Sequence, residues 1–187
     1  MDFSEKRLTS EEKYQGVIVR VRMDSVELCD GTASRREIVE HPGGVAVLPV
    51  DTEGRCTVVR QFRYAFGREL LEAPAGKLER GEDPREAALR ELSEETGYTC
   101  DELIDLGTAF SSPGFCTEKL HLYLALGLRE GKSHPDEGEF LAVEKYPLAE
   151  LSERVSRGEI PDAKTQILIL RAEKMLEKRA EFAKKDG

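Results

Sequence analysis

Residues 76–98 read GKLERGEDPREAALRELSEETGY, a glycine-containing loop followed by a stretch rich in acidic residues. Asp83 and Pro84 predict a helix start, because aspartate caps helix N-termini and proline suits the first helical position. Glu86 stands where a capping box places a carboxylate. Gly97 predicts the helix end, because glycine adopts the left-handed conformation that closes many helices. The stretch therefore predicts one helix between Asp83 and Gly97.

Three glutamates of this helix, Glu91, Glu94 and Glu95, are spaced at i, i+3 and i+4. This spacing places them on one helical face, with neighbouring Cβ atoms roughly 5 to 6 Å apart. Oxygen ligands grouped in this way suit Mg²⁺, which takes one or two carboxylates, waters and the phosphate oxygens of a substrate. The alternative is a solvated helix face, since like charges at this spacing cost only about 0.2 to 0.5 kcal/mol per pair.

The surrounding residues distinguish the two interpretations, because the stretch matches the Nudix box, G-x5-E-x7-R-E-U-x-E-E-x-G-U, where U is bulky and apolar. The matching residues are Gly76, Glu82, Arg90, Glu91, Leu92, Glu94, Glu95, Gly97 and Tyr98. Tyr98 is a slightly loose fit. Coincidence is on the order of 10⁻⁷ per starting point, even with generous residue frequencies. The chain therefore resembles the Nudix hydrolases, and the resemblance favours the metal site.

The resemblance implies a set of oxygen ligands for the metal. Glu91 and Glu95 are expected to bind it, with Glu94 beside them as a ligand or through water. The backbone carbonyl of Ala75 resembles a further ligand of the family. Mg²⁺ is the expected cofactor, with Mn²⁺ as a substitute.

The resemblance also implies supporting roles around that metal. Arg90 is expected to orient the glutamates by ion pairing. Glu82 resembles the loop carboxylate that completes or supports the metal cluster. Gly76 is expected to permit a tight loop, because glycine accepts conformations that other residues do not.

Segments outside the box resemble the ADP-ribose pyrophosphatase branch of the family. They are RQFRY at 60–64, RELLEAPAG at 68–76, a proline 16 positions after Gly97, and DAKT at 162–165, which resembles the start of the branch's C-terminal helix. Together they cover most of residues 45–175. The implied reaction is hydrolysis of ADP-ribose to AMP and ribose 5-phosphate. Hydrolysis of another nucleoside diphosphate sugar and a catalytically silent nucleotide-binding regulator are the alternatives.

Four residues are candidates for substrate binding. Arg63 resembles the substrate-binding arginine of the branch, and its alternative role is that of an outward-facing strand residue. Glu72 is expected to face the ligand or to form a structural ion pair with Arg63 or Arg68. Pro113 is the marker proline of the branch, and with Gly114 it also fits a simple turn.

The general base must come from elsewhere, because the box glutamates are expected to be occupied with metal. The loop 131–139 reads GKSHPDEGE and offers Asp136, Glu137 and Glu139. The ADP-ribose pyrophosphatase branch carries a catalytic glutamate on an acidic loop just before a strand. We favour Glu139 slightly over Glu137, and the alternative is a solvated acidic loop without catalytic function.

Short apolar segments predict a mixed sheet with helices on both faces, so the expected fold is α/β, a Nudix α/β/α sandwich. Alternating residues over 14–23 predict one strand, followed by a hairpin turn at 30–31 and a strand at 35–40. These form a small N-terminal antiparallel β subdomain over residues 1–44, with the Nudix domain at 45–187. The edges of this subdomain need a partner, which is either the catalytic domain or a second subunit, and the second option makes a homodimer. Further strands are predicted at 45–50, 56–63, 69–73, 102–110, 119–128 and 140–146, and further helices from Leu148 and Asp162.

The net charge of −9 over 187 residues argues against a nucleic-acid partner, whose phosphates require a basic surface. The same charge disfavours binding to membrane lipids. No segment has the apolar run of a signal peptide or a membrane helix. We therefore expect a cytoplasmic enzyme whose partners are a nucleoside diphosphate sugar and a second copy of the chain.

Overall fold

A computed structural model of the chain describes residues 2–134, 138 and 140–183. The chain forms two compact units. One comprises Met1–Gly43 and Phe110–Lys119, and the other comprises Gly44–Ala109 and Leu120–Gly187. The segment Phe110–Lys119 thus groups with the N-terminal residues, although it lies outside the predicted boundary at residue 44. No helix within the described residues is long and apolar enough to cross a membrane.

The first unit contains a three-stranded antiparallel sheet of β1 (Lys6–Gln15), β2 (Arg20–Glu27) and β3 (Ala33–Glu40), in that order. The predicted single strand over 14–23 is wrong, because a turn separates β1 from β2 there. Gly16 N–H donates to Val19 O at 2.9 Å within this turn. Val17, Ile18 and Val19 in this turn are all apolar, so the sequence shows no polar break between the two strands.

The predicted turn at 30–31 joins β2 to β3. Gly31 has a φ of 84°, and the side chain of Asp30 accepts a hydrogen bond from Thr32 N at 2.9 Å. The segment Phe110–Lys119 lies along β3, where Val39 N donates to Phe115 O at 2.7 Å and Thr117 N donates to Val39 O at 2.9 Å. The first unit is therefore assembled from two parts of the chain.

The second unit contains two sheets and three helices. Its strands are β4 (Gly44–Pro49), β5 (Arg55–Arg63), β6 (Arg68–Glu72), β7 (Ala75–Lys77), β8 (Tyr98–Phe110), β9 (Lys119–Glu130) and β10 (Leu141–Pro147); its helices are α1 (Pro84–Thr96), α2 (Leu148–Ser156) and α3 (Ala163–Ala183). One sheet has the order β7-β4-β9-β8 and the other the order β10-β5-β6. Because β4 is antiparallel to β7 and parallel to β9, the four-stranded sheet is mixed.

Both faces of the four-stranded sheet are buried, because alternate residues of β4 pack in opposite directions. Val45 and Val47 pack in a cluster with Leu92 of α1. Ala46 and Leu48 pack in a second cluster, which includes residues of β5, α2 and α3. The predicted α/β class with a mixed sheet covered on both faces is therefore confirmed.

Helix α1 begins and ends as predicted. The Asp83 carboxylate accepts hydrogen bonds from Arg85 N at 2.8 Å and Glu86 N at 3.3 Å, and Pro84 is the first helical residue. Gly97 has a φ of 75° and donates its N–H to Ser93 O at 2.8 Å. These local signals determine where α1 begins and ends.

Candidate active site

Two of the three predicted helix ligands are buried at the contact between α1 and β7. Glu91 is 8% exposed and Glu95 is 3% exposed. Ala75 N–H donates to Glu95 Oε2 at 3.3 Å. A solvated helix face is therefore excluded for Glu91 and Glu95. Burial of carboxylates is costly unless other groups compensate them, so this position suggests a specific role.

Gly76 makes room for one of these carboxylates. A Cβ atom on Gly76 would lie 1.7 Å from Glu91 Oε1 and 2.0 Å from its Cδ. Gly76 lies in β7 and is absent from the described residues that have positive φ. The expectation that it permits a tight loop is therefore wrong, and its function is the close approach of Glu91 to the backbone.

Arg90 joins the glutamates of the box. Its Nη1 donates to Glu91 Oε1 at 2.8 Å and to Glu94 Oε2 at 2.9 Å, and its Nε donates to Glu82 Oε1 at 3.0 Å. Nη2 also donates to Glu82 Oε2 at 3.2 Å and to Lys77 O at 3.4 Å. The structure thus brings the predicted orienting arginine and its glutamates together.

The charges of this cluster shift its protonation equilibria. The hydrogen bond with Glu82 raises the pKa of Arg90 against the opposing effect of burial. The charge of Glu91 and the hydrogen bonds with Glu91 and Glu94 raise it further. The hydrogen bond from Arg90 lowers the pKa of Glu82, and a hydrogen bond from Glu79 N acts in the same direction. The guanidinium and the loop carboxylate therefore stay ionised over the neutral pH range.

The donor chemistry of the cluster fits a hard divalent cation. In their present side-chain arrangement, the described residues contain no group of three His, Cys, Asp or Glu side chains that could hold a metal ion. Glu91 and Glu94 instead each direct one oxygen at Arg90. However, the Glu91 carboxylate lies against Gly76, and Glu95 contacts Ala75. Carboxylates and backbone carbonyl groups at one place are the ligands that Mg²⁺ accepts.

Arg63 and Glu72 form a bidentate ion pair at the ends of β5 and β6. Arg63 Nε donates to Glu72 Oε1 at 2.6 Å, and Nη2 donates to Glu72 Oε2 at 2.7 Å. Of the two roles considered for Glu72, the structure places it in the ion pair with Arg63. The side chain of Arg63 is 39% exposed, whereas that of Glu72 is only 1% exposed. Arg63 therefore keeps access to a ligand.

The charged groups that act on this pair include Glu95 of the box helix. The hydrogen bond with Glu72 raises the pKa of Arg63, and the negative charges of Asp162 and Glu95 add to this effect. Burial acts to raise the pKa of Glu72, but Arg63 and Lys164 lower it overall. Glu72 is thus held as a carboxylate beside two cations.

Lys164 is the member of this group that the sequence analysis did not select. Its Nζ donates to Glu72 Oε2 and, at 3.0 Å, to Asp162 Oδ1. A weak signal was present, because a lysine in the first turn of a helix opposes the helix dipole and suggests another role.

Pro113 and Gly114 belong to the first compact unit and form a turn there. Phe115 N donates to Ser112 O at 3.1 Å, and Cys116 N donates to the same oxygen at 2.9 Å. The structure gives them the turn role, and their contact with substrate stays a prediction.

The predicted general bases Glu137 and Glu139, together with Asp136, lie outside the described residues. Residues 131–134 are described and contact the end of α1. His134 N–H donates to Glu94 O at 2.9 Å. A Cβ atom on Gly97 would lie 2.9 Å from Gly131 O. Residues 131–134 therefore lie at the C-terminal end of the box helix.

The model of the NUDIX domain matches residues 40–167. The chain therefore belongs to the Nudix family, as the resemblance of the box predicted. The match covers α1, the sheets of the second unit and the first residues of α3.

The relatives cover nearly the whole chain. An ADP-ribose pyrophosphatase of Bacillus subtilis (strain 168) is 45% identical over 167 residues, 88% of this chain and 90% of the relative. A methanol dehydrogenase activator of Bacillus methanolicus is 43% identical over 169 residues, 89% of this chain and 91% of the relative. A crystal structure of an ADP compounds hydrolase has a TM-score of 0.84 and 21% identity, covering 96% of this chain and 98% of that one. The last likeness concerns the fold alone.

Proposed function

We propose that the chain hydrolyses the pyrophosphate of ADP-ribose to AMP and ribose 5-phosphate with a divalent metal ion. The observation that carries the proposal is the cluster of Arg90 with Glu82, Glu91 and Glu94 beside the buried Glu95. The predicted substrate agrees with the name of the Bacillus subtilis relative.

The protein side chains divide the work of the reaction. Glu91, Glu95 and the Ala75 carbonyl would hold the metal ion, with Glu94 as a ligand or through water. The bound cation would supply charge neutralisation of the pyrophosphate and a more acidic water. Arg90 keeps the glutamates in place, because one guanidinium bonds to several carboxylates at once.

Arg63 is proposed to bind a phosphate group of the substrate. Its Nε and Nη2 are engaged by Glu72, whereas Nη1 has no hydrogen-bond partner among the described residues. Guanidinium groups bind phosphate oxygens through charge-assisted hydrogen bonds. Arg63 would thus orient the pyrophosphate.

Hydrolysis adds water across one P–O bond of the pyrophosphate. The water oxygen joins one phosphorus, the bridging oxygen leaves with the other phosphate, and a base takes the water proton. We propose that Glu139, or Glu137 in the alternative register, is this base. Pro113 and Gly114 are proposed to contact the substrate.

A substrate panel tests the reaction directly. The parent would be assayed on ADP-ribose, other nucleoside diphosphate sugars, NADH, dinucleoside polyphosphates and 8-oxo-dGTP, with product identification. We expect AMP and ribose 5-phosphate in equal amounts and the highest kcat/KM on ADP-ribose. A higher kcat/KM on another nucleoside diphosphate sugar would identify that compound as the substrate instead of ADP-ribose. Inactivity on the whole panel would support the catalytically silent regulator.

The metal proposal is Mg²⁺, with Mn²⁺ as a substitute. Activity should vanish with a chelator and return with either ion, because both accept oxygen ligands. Glu86→Gln is a matched control to substitutions at the ligands, since Glu86 is exposed on the same helix. Full activity in the chelator would contradict the metal requirement.

We also propose a homodimer in the cytoplasm. Every residue of β1 is exposed, and the exposed apolar side chains of this region include Leu8, Tyr14 and Ile18. An exposed edge strand is a surface that another chain covers readily. Sedimentation should give twice the monomer mass, and a monomer that is fully active at all concentrations would contradict the dimer.

A further inference from the structure

The N-terminus of α3 carries an unexpected cation. Asp162 caps the helix, since its Oδ2 accepts Thr165 N at 3.0 Å and Thr165 Oγ1 at 2.6 Å. Lys164 therefore occupies the second helical position. A positive charge there is unfavourable, because the helix dipole places partial positive charge at this end. Helix stability does not explain Lys164.

The contacts of Lys164 provide another explanation. Its side chain is only 12% exposed, and its ammonium group bonds to both Glu72 and Asp162. The same Glu72 carboxylate receives the two hydrogen bonds of Arg63. Because a bidentate contact fixes the plane of a guanidinium, the position of the carboxylate determines how Arg63 faces its surroundings.

Thr165, which follows Lys164 in α3, holds the stretch of chain that follows Glu72. Thr165 is fully buried, and its Oγ1 accepts Ala73 N–H at 2.8 Å. Ala75 lies two residues after Ala73, and its N–H donates to Glu95. The first turn of α3 therefore holds both the Glu72 side chain and the backbone that leads to the box glutamates.

We propose that Lys164 is a positioning residue that holds Glu72 in place and thereby orients Arg63 towards the pyrophosphate of the substrate. The proposal rests on the proposed function, because Arg63 is taken as the phosphate contact. Lys164 itself does not touch the substrate in this scheme.

The first test compares Lys164→Met with Lys164→Arg. Loss of the ammonium should raise KM for ADP-ribose about tenfold and leave kcat within about threefold, because Arg63 binds the phosphate similarly before and during the reaction. Lys164→Arg should restore KM to within about threefold of the parent, since it can still donate to Glu72. A merely structural role would lower the active fraction, and with it kcat, without changing KM.

A double-mutant cycle tests whether Lys164 acts through Arg63. KM of the double variant Arg63→Met, Lys164→Met should lie within about twofold of that of Arg63→Met alone. Once Arg63 is absent, Lys164 has no guanidinium to orient, so its removal has no further effect on KM. Lys174→Met is the matched control, since Lys174 lies on the same helix with its side chain 72% exposed. Its KM should equal that of the parent.

Calorimetric titration with inorganic pyrophosphate in Mg²⁺ separates this proposal from the proposed function. If the parent enzyme is inactive on ADP-ribose, the proposed hydrolysis is contradicted. The Kd values for pyrophosphate of the same variants still test whether Lys164 positions Arg63. If Lys164→Met does not fold, Lys164→Ala replaces it, because alanine also removes the donor and is smaller. The proposal is overturned if a folded neutral variant keeps KM and Kd within about twofold of the parent, if the cycle is additive, or if the parent binds no pyrophosphate.

Discussion

Replacing Gly76 by alanine adds one methyl group where β7 contacts the box helix. The new Cβ would lie 1.7 Å from Glu91 Oε1, whereas real Cβ atoms stay beyond 3.0 Å, so the carboxylate must move by about 1.3 Å or more. Gly76 has no positive φ, so alanine adds no backbone strain. The change therefore acts mainly on the position of Glu91.

The effect on activity should greatly exceed the effect on folding. Misplacement of a catalytic group by about 1 Å can cost roughly 10²-fold in rate, so kcat should fall at least that far. Overpacking costs about 1 to 3 kcal/mol, and the low end applies because the obstructing atoms end a flexible side chain. The corresponding decrease in Tm is about 2 to 4 °C per kcal/mol.

The assay measures initial rates on ADP-ribose over a range of Mg²⁺ concentrations, together with thermal unfolding. We expect Gly76→Ala to show a low kcat and a higher Mg²⁺ concentration for half-maximal rate. Gly54→Ala is the control, because Gly54 has a φ of 74° in a turn with nothing near its would-be Cβ atom. It should lose about 1 kcal/mol of stability and keep its kcat. A Gly76→Ala enzyme with kcat within about threefold of the parent at saturating Mg²⁺ would refute the reasoning.

Three further predictions concern carboxylates. Glu91→Gln and Glu95→Gln should each lower kcat by about 10² or more with circular dichroism unchanged, because each loses a charged metal ligand; near-normal rates at saturating Mg²⁺ would contradict the site. The double variant Glu137→Gln, Glu139→Gln should lower kcat by roughly 10² to 10⁴ and alter the acid limb of the pH profile; retention within about threefold from about pH 6 to 9 would show that the loop is not the base. Burial acts to raise the pKa of Glu72, but contacts with Arg63 and Lys164 lower the folded-state pKa below the ordinary 4.5. The ionised carboxylate of Glu72 therefore stabilises the fold above that pH. The destabilisation in Glu72→Gln should therefore be largest near about pH 7 and shrink as urea unfolding is measured below pH 4.5, and a pH-independent difference would contradict the linkage.

The helix of the box could be predicted because its signals are local. Asp83 accepts hydrogen bonds from residues two and three positions away, and Gly97 closes the helix within one turn. The clustering of Glu91, Glu94 and Glu95 follows from helical periodicity alone. The family match then confirmed the resemblance of this stretch to the Nudix box.

Other features were hidden because they depend on strand pairing and side-chain packing, which the sequence pattern does not report. The strand predicted over 14–23 contains a turn, since apolar alternation does not reveal where a chain reverses and pairs with itself. The role of Gly76 depends on the side chain of Glu91, which reaches it only after β7 packs on α1. Periodicity reports which face of an element is buried, and it does not report what that face contacts.

The sequence by itself determined the family, the box helix and the carboxylates that could hold a metal, because those properties reside in short-range spacing and side-chain chemistry. Only the tertiary structure decided that Glu72 pairs with Arg63 and Lys164, the latter 92 positions away. Such a contact forms when the packing of the sheet and α3 brings the buried carboxylate to the first turn of the helix. A buried charge must find its compensation in space, and that compensation follows from the fold rather than from the neighbouring residues.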